Sequence, residues 1–226
     1  MRRIGLTVCA AIVVIQLGLL GYAVSRASTP TRLASPIRPT TEPQFPLDLE
    51  GIWPFASNVA TGWKSDAALV RANMQLDWPG EAGNPPAGQL PIGGWIFMTF
   101  LSSDGLLTMR IDRGSGVIVD TEILDIDSRF RDAFPATPID FSLAKTSSGT
   151  AASAAEVAYG TEFRSACPDQ RHTSWLAVQV DSSTGATSWH IEYESRGEQP
   201  QPSMTLDVDW ITADIRNVEN ATEPCA

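Results

Sequence analysis

The sequence predicts an α+β protein with an N-terminal transmembrane helix. Two repeats should follow it, each a helix packed on a three- to four-stranded antiparallel sheet. Three observations carry that expectation. A strand-like run opening with Trp occurs twice, 80 residues apart: Trp95–Leu101 meets the turn Ser102–Gly105, and Trp175–Asp181 meets Ser182–Gly185. An alanine-rich, helix-like segment precedes each run, Asp66–Ala72 before the first and Ser153–Tyr159 before the second. The third observation is Ile4–Val24, 21 residues without a charge.

Residues 1–24 are expected to be a signal anchor. As a helix the apolar run would be about 30 Å long, enough to cross a bilayer. Arg2 and Arg3 ahead of it favour a cytoplasmic N-terminus with the folded part outside the cytoplasm. Small residues at Ala23, Ser25 and Ala27 offer cleavage positions, but the run is longer than a signal peptide's apolar core, so an uncleaved single-pass anchor in the cell membrane is expected. Residues 25–50 read as a tether, because Pro30, Pro36, Pro39, Pro43 and Pro46 are too closely spaced for a helix and lack donors for a sheet.

The first repeat is assigned to residues 51–124. Ile52, Trp53, Phe55, Val59 and Trp63 supply anchors for a core. Ser65 or Asp66 would cap a helix carrying Ala68, Leu69, Ala72 and Leu76 on one stripe, ended by Pro79 and Gly80. Trp95–Leu101 and Leu106–Asp112 form a hairpin, with Leu107, Met109 and Ile111 inward and Thr108, Arg110 and Asp112 outward; Val117–Leu124 is a third strand. Residues 125–148, polar or broken by proline, are the connection.

The second repeat takes residues 149–226. A helix is expected over Ala151–Phe163 and strands over Ser174–Asp181, Thr187–Ser195 and Met204–Trp210. In the middle strand Trp189, Ile191 and Tyr193 alternate with Ser188, His190, Glu192 and Glu194; in the last, Leu206, Val208 and Trp210 alternate with Asp207 and Asp209. Cys9 falls inside the anchor as an apolar residue. Cys167 and Cys225 remain, an even pair in an oxidising compartment, and a disulfide between them is expected.

These elements resemble the PepSY module of bacterial envelope proteins, in tandem. The resemblance rests on the Ala-rich segment at Asp66, the Trp95 strand, the Ser103–Gly105 turn and the run Met109–Ile118, in which Ile111-Asp112 and Ser115-Gly116-Val117 match the module's ending. Val208–Ile215 matches it loosely, with Ala213 where glycine is usual. The resemblance implies a helix against a curled antiparallel sheet and a regulatory, inhibitory or accessory role, with no catalytic residues to carry over.

Charge and motifs narrow the function further. From residue 45 onward there are 11 basic and 25 acidic residues, a net charge of −14. Such a surface repels phosphate backbones, which argues against nucleic-acid binding. The chain lacks a zinc-type His/Glu motif, paired Cys-x-x-Cys, a nucleophile elbow and a phosphate loop. Cys167 and His172 could be drawn as nucleophile and base, but oxidation of Cys167 would remove the pair. The acidic cluster Asp120, Glu122, Asp125, Asp127 and Asp132 fails as a calcium loop because Arg129 and a missing glycine interrupt it. Asp207 and Asp209 share a strand face without a nucleophile or oxyanion donor nearby. No catalytic residue, cofactor or metal is therefore expected. Trp53, Trp63 and Trp78, in Gly/Pro-rich surroundings, either pack under loops or form an aromatic contact surface for a partner. The expected function is a membrane-anchored, extracytoplasmic, non-enzymatic binding or regulatory module acting on another envelope protein. The alternative is a structural accessory subunit of an integral membrane complex.

Overall fold

A computed structural model of the chain describes residues 31–32, 36–39, 47–79, 85–86, 88–126, 137–167, 170–180, 186–196 and 202–220. Strand β1 (Thr31–Arg32) is followed by helix α1 (Leu49–Trp63) and strands β2 (Ala68–Trp78), β3 (Gly94–Leu101), β4 (Gly105–Asp112) and β5 (Ile118–Asp125). A 3-10 turn (Phe141–Leu143) leads to α2 (Ser148–Ala155), a π-helical turn (Glu156–Gly160) and α3 (Thr161–Ser165). The chain ends in β6 (Arg171–Val180), β7 (Thr187–Arg196), β8 (Ser203–Asp209) and β9 (Ile215–Asn220).

All nine strands belong to one antiparallel sheet, in the order β1-β5-β4-β3-β2-β6-β7-β8-β9. This overturns the expectation of two separate helix-plus-sheet repeats. The chain order is helix, four strands, helix, four strands, but β2 and β6 pair directly, from Asn73–Ala177 to Trp78–His172. One sheet and one core result. The segment expected as the first helix is β2 itself. Its Ala72, Met74, Leu76 and Trp78 alternate into the core, and a bulge between Leu69 and Arg71 lets both Leu69 and Val70 be buried.

The helix of the first half lies earlier, where anchors without an element were expected. Asp48 caps it by accepting from the Gly51 amide at 2.7 Å, and Leu49, Ile52, Ala56 and Ala60 form its buried stripe. The second helical run agrees with the helix expected over Ala151–Phe163. Ser147 caps α2, and the small residues Ser148, Ala151, Ala152 and Ala155 face inward, so the helix backbone can lie close to the sheet. The two helix starts are tied together: Glu50 accepts from the Ser148 amide at 2.8 Å and its hydroxyl at 2.6 Å, and the Leu49 amide donates to that hydroxyl at 2.9 Å.

The core lies between these helices and one face of the sheet. Phe141 is its aromatic centre, with ring centroids 5.7 Å from Trp53, 6.0 Å from Trp189 and 6.3 Å from Trp210. The Trp189 indole donates to the Thr146 carbonyl at 2.9 Å, so its one polar atom is satisfied at full burial. Strands β4, β7 and β8 keep the expected inward and outward sets.

Part of the expected tether is structured. β1 pairs with β5, and Ile37 bridges Ile118 through two backbone hydrogen bonds, so this segment lines the sheet's β5 edge. Among the described residues no helix is long and apolar enough to cross a membrane. The anchor expected over residues 1–24 lies outside the described residues.

Candidate interaction surface

Alternation along β4, β7 and β8, and the register that carries it through β3, β2 and β6, leaves the second face of the sheet without any described helix against it. Its centre follows from strand register. One row across the sheet reads Asp112, Trp95, Gln75, Trp175, Glu192, from β4 through β3, β2 and β6 to β7. The adjacent row reads Asp120, Arg110, Phe97, Asn73, Ala177, His190, Asp207, from β5 to β8. Each row ends in carboxylates and has an amide on β2 at its middle; the first places a tryptophan on either side of Gln75, and the second places Arg110 and His190 inside its carboxylates, with Phe97 and Ala177 flanking Asn73.

The rings are only half-buried, and they contact one another. Phe97 and Trp175 meet across β2 with centroids 6.0 Å apart and planes inclined by 31°. Gln75 sits between the two tryptophans at 8% exposure, its side-chain amide donating to Asp77 at 2.7 Å. The Arg110 guanidinium carbon lies 5.0 Å from the Trp95 ring centroid, and the same group reaches Asp120 at 3.8 Å. On the other flank His190 Nδ1 lies 2.8 Å from Asp207, whose second oxygen accepts from the Asn217 amide at 2.8 Å. Glu192 stands opposite Trp175. Desolvation lifts its carboxyl above the ordinary value of 4.5, and Glu194 lifts it further against the opposing pull of His190.

The residues singled out from sequence fall elsewhere. Trp78 is 2% exposed, its indole donating to Ser174 at 2.6 Å and its ring covered by the Arg164 guanidinium at 4.0 Å, so it is part of the interior. Trp53 and Trp63 are half-buried against the core from α1. These three do not form one surface. Cys167 is buried and disulfide-bonded; Cys225, its expected partner, lies outside the described residues, as does Cys9. His172 meets the carbonyl of Cys167 at 3.0 Å through Nε2 and the Ser195 hydroxyl at 3.0 Å through Nδ1. Burial lowers its pKa, with the Arg164 charge acting in the same direction, so the ring is neutral: it donates to Cys167 and accepts from Ser195. With Ser195 fully buried and Cys167 bonded, this arrangement fastens β6 to β7 and to the loop behind α3; it offers no exposed nucleophile.

Asp207 and Asp209 are likewise held in structural roles. Asp209 accepts from the Ile211 and Thr212 amides, both at 2.9 Å, and those bonds lower its pKa. Asp120, Glu122 and Asp125 lie on β5, whereas Asp127 and Asp132 are outside the described residues. Among the described residues no group of three His, Cys, Asp or Glu is placed to hold a metal.

Beneath the helices lies a buried polar cluster that sequence reading missed. Arg164 pairs with Glu156, and the Thr161 hydroxyl donates to the same Glu156 oxygen at 3.0 Å. Burial and the Glu156 charge hold the Tyr193 phenol well above 10. The π-turn makes this possible by aiming both Glu156 and Gly160 inward while Val157 and Tyr159 face solvent. A side chain at Gly160 would collide with Glu156 and come within 2.6 Å of the Tyr193 ring. The chemistry of this cluster is attachment of a helix to the sheet.

No family model matches the chain, and no curated protein matches it. The chain is similar to a crystal structure described as a "putative lipoprotein" from Clostridium difficile 630, with 13% identity, coverage of 80% of this chain and 99% of that one, and a TM-score of 0.45. A likeness this distant leaves the functional reading to the sheet's open face.

Proposed function

We propose that the protein is a non-enzymatic binding module, acting outside the cytoplasm, that docks another protein on the open face of its sheet. The observation that carries this reading is the pair of register rows just described. Half-buried aromatic rings occupy the middle of a face that no described element covers, inside a frame of carboxylates. Aromatic anchors within a polar rim are what a protein-binding patch requires. From β5 to β9 the sheet is about 34 Å wide, and its strands are about 27 Å long. That area is comparable to the ~800 Å² per partner of a standard interface. Placement outside the cytoplasm is supported by the bonded state of Cys167 and by the uncharged run Ile4–Val24.

The test is site-specific photocrosslinking in the full chain. Benzoylphenylalanine replaces Phe97 or Ala177 on the open face, and Asn58 on the exposed side of α1 serves as comparison. The reading expects a discrete protein adduct from positions 97 and 177, lost when Trp175→Gln is added. Equal adducts from both faces, or adducts from Asn58 alone, would refute it.

A further inference from the structure

The open face carries two stations built from the same parts. At the first, Trp95 faces Asp112 across the β3–β4 pair, and Arg110, one register step away, lays its guanidinium on the indole while reaching Asp120. At the second, Trp175 faces Glu192 across the β6–β7 pair, and His190, one register step away, is held by Asp207. The correspondence is also one of spacing: Trp95 and Trp175, Arg110 and His190, Asp112 and Glu192 are each 80 residues apart. What differs is the cation. Among the described residues no Lys or Arg forms an ion pair with Glu192 or Glu194, and Arg171, the nearest basic residue on β6 in register, lies beyond Thr173 and opposite Arg196.

We infer that the second station, Trp175 with Glu192 and Glu194, receives an arginine side chain of the partner protein. This rests on the reading of the open face as a docking surface, and names the chemistry that surface selects. Arg110 over Trp95 is the internal example of the contact, since a planar guanidinium can lie on an indole and pair with a carboxylate at once. The charge argument agrees. Two carboxylates two residues apart on one strand face repel each other; burial raises the Glu192 pKa first and the neighbouring Glu194 raises it further, so a cation brought between them would relieve that repulsion. A lysine would supply charge without the planar stacking, so arginine is the better fit.

The test labels the full chain, kept in mild detergent, with 5-fluorotryptophan, which gives seven ¹⁹F signals for the seven tryptophans. The Trp175 signal is assigned by its loss in Trp175→Phe. The probes are the capped peptide Gly-Arg-Gly-Arg-Gly and its citrulline counterpart, in which each guanidinium becomes a neutral urea of the same shape. The arginine peptide should move the Trp175 signal saturably and the citrulline peptide should not. Glu192→Gln should weaken binding about fivefold while leaving the other signals in place; Glu162→Gln, at an exposed position of α3, should not weaken it. An unmoved Trp175 signal, or equal weakening by both substitutions as expected of a general acidic field, would overturn the inference. Crosslinks from positions 97 and 177 that persist beside a failed peptide titration would sink this inference alone; loss of those crosslinks would sink the docking reading itself.

Discussion

The pair Glu156–Arg164 is the place where a single substitution should do most damage. The Glu156 side chain is 0% exposed and that of Arg164 7%. Each charge has given up its water and relies on the other, on Thr161 and on the Trp78 ring at 4.0 Å. Removing one partner of such a pair strands the other charge in the interior, at a cost of about 3–5 kcal/mol. Arg164→Met also forfeits the stacking on Trp78, about 1–2 kcal/mol more. For a chain of this size about 1 kcal/mol corresponds to 2–4 °C in melting temperature, so Glu156→Met should melt roughly 6–20 °C lower and Arg164→Met roughly 8–28 °C lower.

The informative comparison is the double variant. Glu156→Met with Arg164→Met removes both charges and keeps most of the volume, so its stability should lie within about 2 kcal/mol of the parent. Urea unfolding of the parent, both single variants and the double, followed by far-ultraviolet circular dichroism, closes a thermodynamic cycle. The expected coupling is at least about 2 kcal/mol in favour of the pair. Single variants that each lose less than about 1 kcal/mol, or a double whose loss equals the sum of the singles, would show that the π-turn does not hold this helix through its charges.

Three further perturbations probe other parts of the frame. Gly94 has φ +131°, and a methyl group there would fall on the backbone of Gln75 in β2, so Gly94→Ala should cost at least about 2 kcal/mol; Gly93→Ala, with nothing within 4 Å, should be near neutral, and chemical denaturation separates the two. Arg113 is 1% exposed and donates to the carbonyls of Leu47 (2.8 Å), Pro91 and Ile92 (3.4 Å), with burial lowering its pKa to about 10. Arg113→Lys keeps the charge but not the fork of donors, and limited proteolysis should show earlier cleavage in the loop before β3, with a loss of about 1–3 kcal/mol. Burial raises the Glu50 carboxyl above 4.5, the largest opposing influence being its bond from Ser148. Its contribution is therefore fully present below about pH 4.5 and lost as the pH rises through the folded-state value. Glu50→Gln should gain stability relative to the parent as the pH is raised from 4 to 7, and a constant difference in urea midpoint would contradict the assignment.

Strands on the flanks were legible from sequence because only one of their faces is buried. In β4, β7 and β8 the apolar set falls on every second residue, and the structure keeps it. β2 was illegible for the opposite reason. As a central strand with a bulge, it buries Leu69 and Val70 in succession and then Ala72, Met74, Leu76 and Trp78, with Gln75 buried on the other face too. That density also satisfies a helical stripe, and alanine favours the helical reading; pairing with β3 and β6 overrides it. Helix α1 was hidden by Pro54 and by Gly51 and Gly62, residues that argue against a helix unless tertiary contacts compensate. They do here, because Leu49, Ile52, Ala56 and Ala60 are closed over by the sheet.

The 80-residue spacing was a real signal attached to the wrong object. It suggested two repeats of a folded unit, yet Trp95 lies on β3 and Trp175 on β6, strands at different places in the chain's order of helix and four strands. A duplicated unit would align β2 with β6. What the spacing matches instead is surface chemistry: tryptophan, cation-type nitrogen and carboxylate set out on two strand pairs that flank β2 on one face. Only the sheet order could reveal this, because the row that joins Trp95 to Trp175 passes through Gln75, and nothing in a linear reading places residue 75 between residues 95 and 175. The same order explains why Trp53, Trp63 and Trp78 were the wrong tryptophans to expect at a surface. They lie on the helix side or its margins, where covering the core uses their area, whereas the half-buried rings of Trp95 and Trp175 stand on the face left for something outside the described fold.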